Sequence, residues 1–324
     1  AWMIGAMVAT AASAVSGVRV VMDSRLRMVM VVVLGAMLGS AFSPEILERA
    51  VRWPITLASL MLYVAVAGGL TFILYRRTTG LDRPTAYFAG MPGGFNEMVI
   101  MGAALGGNER TVSLAHSTRV FLVVMIIPFW FRFVEDYSPA ARAAAALGLG
   151  EVAVSDLAIL SVSAAAGIAA ARLLRLPAYH LTGAMGGSAV AHLAGWTSAP
   201  PPWELVAIAQ VVVGATIGSR FSGVSLRVMF RTIGSAALMT LVLLILATIF
   251  AAVLTRVSGF SFPPLLLAFS PGGLAEMSLV ALALDVDTAF VATHHVARIA
   301  AVVMLAPLVF RLVQARARNK PGNT

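Results

Sequence analysis

Of the fourteen acidic residues in this chain, only Glu97 and Glu276 fall in the interior of apolar segments. Both stand three positions after a Pro-Gly-Gly, in Pro92-Gly93-Gly94-Phe95-Asn96-Glu97-Met98 and in Pro271-Gly272-Gly273-Leu274-Ala275-Glu276-Met277. Downstream of each comes a His-x-x-Arg, His116 with Arg119 and His295 with Arg298, and the i, i+3 spacing puts each pair on one helix face. Arg119 is about eight residues, hence about 12 Å, into its segment. A charge at that depth usually faces a bundle interior or a watery cavity. The chemistry these groups offer is binding and proton movement. The glutamates would take up protons or couple to cations, the arginines would hold a carboxylate or similar anion, and the histidines would relay protons. The competing reading is structural: each glutamate pairs with the arginine of its own copy and with a helix N-terminus, neutralising a buried charge. Asn96 against Ala275, and Ser117 against Val296, break the symmetry and mark where a substrate would be read asymmetrically.

The elements that hold these residues come in two copies. A single offset of 179 carries Pro92 to Pro271, His116 to His295, Arg119 to Arg298, Pro128 to Pro307 and Arg132 to Arg311. It also carries Leu34–Ser40 onto Val213–Ser219, and at an offset of 178 Gly5-Ala6-Met7 falls on Gly183-Ala184-Met185. The sequence therefore divides into repeat 1 (1–134), a polar, Ala-rich linker (135–156, a candidate interfacial helix), repeat 2 (157–312) and a basic tail (313–324). Repeat 2 shows apolar segments a to f at about 157–174, 179–195, 203–219, 233–255, 263–284 and 289–310. Repeat 1 shows b to f at about 1–17, 27–41, 54–75, 84–105 and 111–131. A counterpart of segment a is expected before the first residue given.

The composition places these segments in lipid. The 324 residues are 60% hydrophobic and 11% charged, with a mean hydropathy of +0.91, where soluble domains carry about 25% charged residues. The 28 glycines suit close helix packing in a bilayer. Cysteine is absent, which excludes disulfides, thiolate nucleophiles, iron–sulfur clusters and cysteine zinc sites. The net charge of +9 is scattered through short loops, as the positive-inside rule distributes it, and no nucleic-acid-binding motif is visible.

Segment e, cut by Pro-Gly-Gly, decides the topology. Each of its halves is about 8 to 12 residues, where a crossing needs about 20. In repeat 1 the basic loops are b/c (Arg19, Arg25, Arg27) and d/e (Arg76, Arg77, Arg83). In repeat 2 they are a/b (Arg172, Arg175), c/d (Arg220, Arg227, Arg231) and the tail after f (Arg311, Arg316, Arg318, Lys320). A crossing e would make the copies parallel and set these charges in conflict, whereas all of these loops fall on one side if e does not cross the membrane. Each unit then has five crossings and the two copies are inverted. The expected fold is an all-α integral membrane protein of two inverted repeats with helix breaks at Pro92-Gly93-Gly94 and Pro271-Gly272-Gly273. Secondary transporters are commonly built this way, with half-helix N-termini framing the ligand.

Other residues read as structural. His294 faces away from His295 and reads as packing or interfacial; His180 and His192 lie near segment ends; Gln210 suits an interhelical bond. Trp53, Trp130, Trp196 and Trp203 sit at segment ends as an aromatic belt.

The paired Pro-Gly-Gly-x-x-Glu-Met motifs, each followed by His-x-x-Arg, resemble the bacterial membrane AbrB-duplication family over about 1–134 and 157–312. The soluble AbrB DNA-binding regulator has a different, β-rich fold. Members of the membrane family are labelled as ammonia monooxygenase or as regulators of gene expression. A monooxygenase needs a redox metal, and the one cluster available would be Glu97, Glu276, His116 and His295, a mixed carboxylate–imidazole set that suits iron or zinc. A transporter that alters a metabolite level changes transcription without touching DNA. The function expected is a multi-pass permease of the bacterial cytoplasmic membrane for a small anionic or polar metabolite, proton-coupled, without cofactor or structural metal, with homo-oligomerisation open. The alternatives are a membrane sensor or regulator acting indirectly and a metal-dependent membrane oxidoreductase.

Overall fold

The computed structural model describes residues 2–18, 20–134, 147–222 and 226–318. Among these the regular elements are all α-helices: α1 (Trp2–Val15), α2 (Ser24–Gly39), α3 (Pro44–Ala50), α4 (Trp53–Thr79), α5 (Arg83–Gly90), α6 (Phe95–Ala104), α7 (Glu109–Val134), α8 (Val154–Leu173), α9 (Tyr179–Leu193), α10 (Trp203–Ser219), α11 (Leu226–Ser258), α12 (Phe262–Phe269), α13 (Leu274–Ala283) and α14 (Thr288–Arg318). Five of them, α4, α7, α8, α11 and α14, are long and apolar enough to cross a bilayer, and α2 with α3 makes a sixth candidate bent by 71°. The helices α1, α9 and α10 have 14, 15 and 17 residues, about 21 to 26 Å at 1.5 Å per residue, short of the ~30 Å hydrocarbon core. Segment e is two short helices in both halves of the chain, α5 with α6 and α12 with α13. The short α3 has no counterpart in the sequence reading, and α14 runs through 318 into the residues assigned to the tail. The interfacial helix expected from the linker falls mostly on 135–146, outside the described residues.

Local chemistry sets the helix ends. Asp23 caps α2 by accepting from the backbone N–H of Arg25 and Leu26 at 2.8 and 2.9 Å. Gly80 ends α4 at φ 68°, the left-handed C-terminal turn that favours glycine. At the two breaks, Met91 and Ser270 precede proline and are forced into extended backbone, with ψ 129° and 141°. Proline also offers no N–H to continue the ladder, so α5 and α12 stop there.

The helices sort into two bundles, and each draws on both halves of the chain. In one, α1 packs on α10, α2 on α9 and on α10, and α8 on α9. In the other, α4, α5, α6 and α7 pack with α11, α12, α13 and α14, while only α7 with α1 and α10, and α2 with α13 and α14, bridge the bundles appreciably. Glycine seams hold the first bundle. A Cβ at Gly35 or Gly39 of α2 would strike the α9 backbone at Leu181 or Met185, and one at Gly214 or Gly218 of α10 would strike the α1 backbone at Met3 or Met7. Gly167 of α8 meets Gly183 and Gly187 of α9 in the same way. Such close approach maximises dispersion contact where lipid supplies no hydrophobic drive. A hydroxyl adds to it: Ser188 donates to the Ala36 carbonyl at 2.7 Å.

Aromatic side chains fill the second bundle. Tyr63, Phe250 and Phe269 form a triangle with centroids 5.5 to 6.0 Å apart. Trp53 belongs to this interior too, which corrects its assignment to the aromatic belt: it is buried, edge-on to Phe290 at 5.8 Å. Trp130, Trp196 and Trp203 are exposed, as a belt requires. His294 packs as expected, joined to Thr56 Oγ1 and the Phe290 carbonyl at 2.8 Å each.

Candidate functional site

The two breaks are pinned by identical bonds. Arg119 donates from Nη1 to the Met91 carbonyl at 2.9 Å and from Nη2 to the Gly93 carbonyl at 3.1 Å. Arg298 donates from Nη1 to the Ser270 carbonyl at 2.6 Å and from Nη2 to the Gly272 carbonyl at 2.7 Å. His116 Nε2 bonds the Phe88 carbonyl at 2.8 Å, and His295 Nε2 bonds the Leu267 carbonyl at 3.0 Å. Every partner in one set is 179 positions from its counterpart in the other. The arginine and histidine of each long helix therefore satisfy carbonyls that the Pro-Gly-Gly leaves outside any helical ladder. Neither arginine spends its terminal nitrogens on a glutamate.

The glutamates turn the other way. Gly94 and Gly273 are the N-cap residues of α6 and α13, and Glu97 and Glu276 lie in the first turn. Each carboxylate folds back over its own N-cap: a Cβ on Gly94 would collide with Glu97, and one on Gly273 with Glu276. A carboxylate there complements the positive end of the half-helix.

Between the breaks lies a cavity of about 240 Å³ at the junction of the two bundles. From the second bundle it is lined by Gly93, Gly94, Asn96, Glu97, Ser117, Arg119, Gly272, Gly273, Glu276 and Arg298 among others. From the first it takes Arg27 and Val31 of α2, His180 and Leu181 of α9, and Thr216 and Ile217 of α10, followed by Arg220. Six of the eight candidate ligand residues thus meet on one space, while His116 and His295 stand behind its wall. The side chains of Ser117, Arg119 and Arg298 are buried, and Ser117 Oγ, Arg119 Nε and Arg298 Nε have no hydrogen-bond partner. These atoms are enclosed, so the two arginines act on the cavity as fixed positive charges. Among the described residues no three His, Asp or Glu side chains come close enough to share a metal ion.

Arg27, His180 and Arg220 also line this cavity and carry no ligand signature in the sequence. By sequence the two arginines are loop charges and His180 is a helix-end residue. The fold brings them over the breaks because α2 starts, α9 starts and α10 ends near the same cavity. Arg220 sets its guanidinium 3.3 Å above the ring of Phe95, the first residue of α6.

A helical membrane-type chain with paired helix breaks around a polar cavity is the class that fold and site define. The family described as "Transition state regulatory protein AbrB" matches residues 2–314, and the chain belongs to it. Its apolar helices fit the membrane family of that name and not the soluble regulator. The chain is 29% identical over 303 residues to "Uncharacterized protein YhjN" of Bacillus subtilis (strain 168), covering 87% of this chain and 77% of that one. It is 25% identical over 321 residues to "Putative regulator AbrB" of Escherichia coli (strain K12), covering 99% and 92%. No solved structure matches it.

Proposed function

We propose that this protein is a secondary transporter of the bacterial cytoplasmic membrane that carries a small anionic metabolite together with protons. The observation that carries the reading is the cavity between the bundles, where two half-helix N-termini and two buried arginines converge. Inverted repeats are part of the proposal. They are supported by the identical pinning bonds 179 positions apart and by the paired packing of α1 on α10 and α2 on α9. The N-terminal part of α2 and the C-terminal part of α10, equivalent segments by sequence, also meet at one cavity, as an antiparallel pair would.

The coupling follows from what the glutamates cover. A deprotonated Glu97 or Glu276 already complements the positive end of its half-helix, so an anion and the carboxylate compete for the same electrostatic ground. Protonating the glutamate removes the competitor, and proton and anion then bind with mutual support. The protein would move both in the same direction, alternating access by displacement of one bundle against the other.

A second reading, a membrane sensor that alters gene expression indirectly, is favoured by the name of the E. coli relative. We place enzymatic chemistry behind both, since a metal-dependent oxidoreductase needs a ligand set and the two histidines are committed to backbone carbonyls. Reconstitution into proteoliposomes decides between the two leading readings. Uptake of a labelled small organic anion should be stimulated by an acidic exterior. Binding without flux would favour the sensor, and neither binding nor flux across a panel of small acids would overturn the carrier.

A further inference from the structure

We infer that the cavity selects doubly charged small anions, and that Arg220, held on Phe95, is the residue that makes the selection; this rests on the anion-carrier reading above. The cavity wall carries four arginines, Arg27, Arg119, Arg220 and Arg298, against two glutamates, Glu97 and Glu276, an excess of two positive charges. Arg119 and Arg298 are buried and pinned by their terminal nitrogens, so they act on the cavity as fixed positive charges. Arg27 and Arg220 are half-buried. Cationic groups thus come from both bundles, and a ligand charged at both ends engages both at once.

Arg220 is presented for binding. The ring beneath it supplies cation–π attraction to the flat of the guanidinium and uses none of its five N–H donors. Among the described residues the Arg220 side chain makes no hydrogen bond. His116 meets the same ring edge-on at 6.2 Å, so Phe95 is itself steadied from behind. None of this recurs in the other half, where the positions equivalent to Arg220, Phe95 and Arg27 are Ala41, Leu274 and Val206. Selection is thus built on one side of a site whose breaks are otherwise alike.

Size sets the other limit. A cavity of about 240 Å³ falls below the ~300–1,000 Å³ of sites for drug-sized ligands. It fits a compact diacid or inorganic phosphate and is too small for a nucleotide. A monoanion leaves more positive charge uncompensated at the wall than a dianion does, and protonation of a glutamate widens the difference, which costs the monoanion affinity.

The test is binding to the purified full chain in lipid nanodiscs at constant ionic strength, using succinate, butyrate and inorganic phosphate as probes. Succinate or phosphate should bind at least about tenfold more tightly than butyrate. Arg220→Gln should weaken the dianion more than butyrate and bring the two affinities close together. Phe95→Leu, which installs the residue found at the equivalent position, should cost the dianion about threefold. Its thermal unfolding should match the parent, so a folding defect in one variant does not decide the matter. Binding of succinate without phosphate assigns a dicarboxylate, and the reverse assigns an inorganic dianion. Butyrate binding as tightly as both dianions, or a preference unchanged in both variants, overturns the inference and leaves the anion carrier standing. Failure of all three anions to bind overturns both.

Discussion

Arg298 donates from Nη2 to Nδ1 of His295 at 2.9 Å, whereas the Nδ1 of His116 has no partner. Guanidinium is a donor only, so His295 Nδ1 must accept, and the ring proton sits on Nε2, where it is given to the Leu267 carbonyl. His295 is thereby held neutral by its bonding, as a strut between Arg298 and the end of α12. His116 makes the carbonyl bond alone.

The two histidines should therefore differ in stability. His295→Ala strands an arginine N–H and a carbonyl and should cost about 2–3 kcal/mol; His116→Ala strands one carbonyl and should cost about 1 kcal/mol. Thermal unfolding in detergent measures both. Equal losses would contradict the bonding difference.

Arg119 and Glu97 should behave as independent residues. Arg119→Met removes two bonds to the break and should destabilise strongly, but adding Glu97→Gln should not restore what is lost, because the arginine's terminal nitrogens bond carbonyls. The coupling in a double-mutant cycle on stability should stay near 0.5 kcal/mol or below. Rescue by several kcal/mol, the signature of a buried ion pair, would reinstate the paired reading.

Anion affinity should rise as pH falls, because protonated Glu97 and Glu276 release the half-helix N-termini. Changing both glutamates to Gln should fix affinity at its acidic value and flatten its pH dependence. Calorimetric titration at several pH values checks this, and an undiminished pH slope in the double variant would remove the glutamates from coupling.

The glycine seams should tolerate almost nothing. Gly39→Val and Gly218→Val each drive a side chain into the backbone of the facing helix and should cost about 3 kcal/mol or more, at the upper end of overpacking losses. Gly69 of α4 and Gly234 of α11 have open space where a Cβ would go, and alanine there should be nearly neutral. A thermal-shift comparison of the four variants tests the contrast.

Sidedness can be read directly, since the chain contains no cysteine. Single cysteines at Arg77, Asn108 and Arg175 should label from one side of the membrane and one at Asp285 from the other. Labelling of Arg77 and Arg175 from opposite sides would defeat the inverted arrangement.

The sequence made the helices legible because apolar runs and their punctuation are local. The segment at 203–219 is α10 without change, and both Pro-Gly-Gly breaks fall where read. The partners of Arg119 and Arg298 were not legible, because they are backbone carbonyls, which no side-chain pattern marks. A signal existed nonetheless: both arginines stand at the same distance, 27 positions, from the proline of their break. Arg27 and Arg220 were hidden for another reason. Their loop positions satisfy the positive-inside rule, and only the packing of α2 and α10 against the breaks turns loop charges into cavity walls. Trp53 misled because a segment end in sequence is not always a membrane surface in space.

The exchange of helices between the two bundles also governs how the chain must be made. The faces of α1 and α2 at the glycine seams meet α10 and α9, which emerge from the ribosome well over a hundred residues later. At about 5–20 residues per second, that leaves the first helices without partners for roughly 10–40 s. During that interval the membrane holds short helices with uncovered small-residue faces and a first break whose α14 neighbour, at Ile299 and Val302, does not yet exist. Neither half can complete a bundle alone, so a chain split between Val134 and Val154 should yield working protein only when both fragments are produced together.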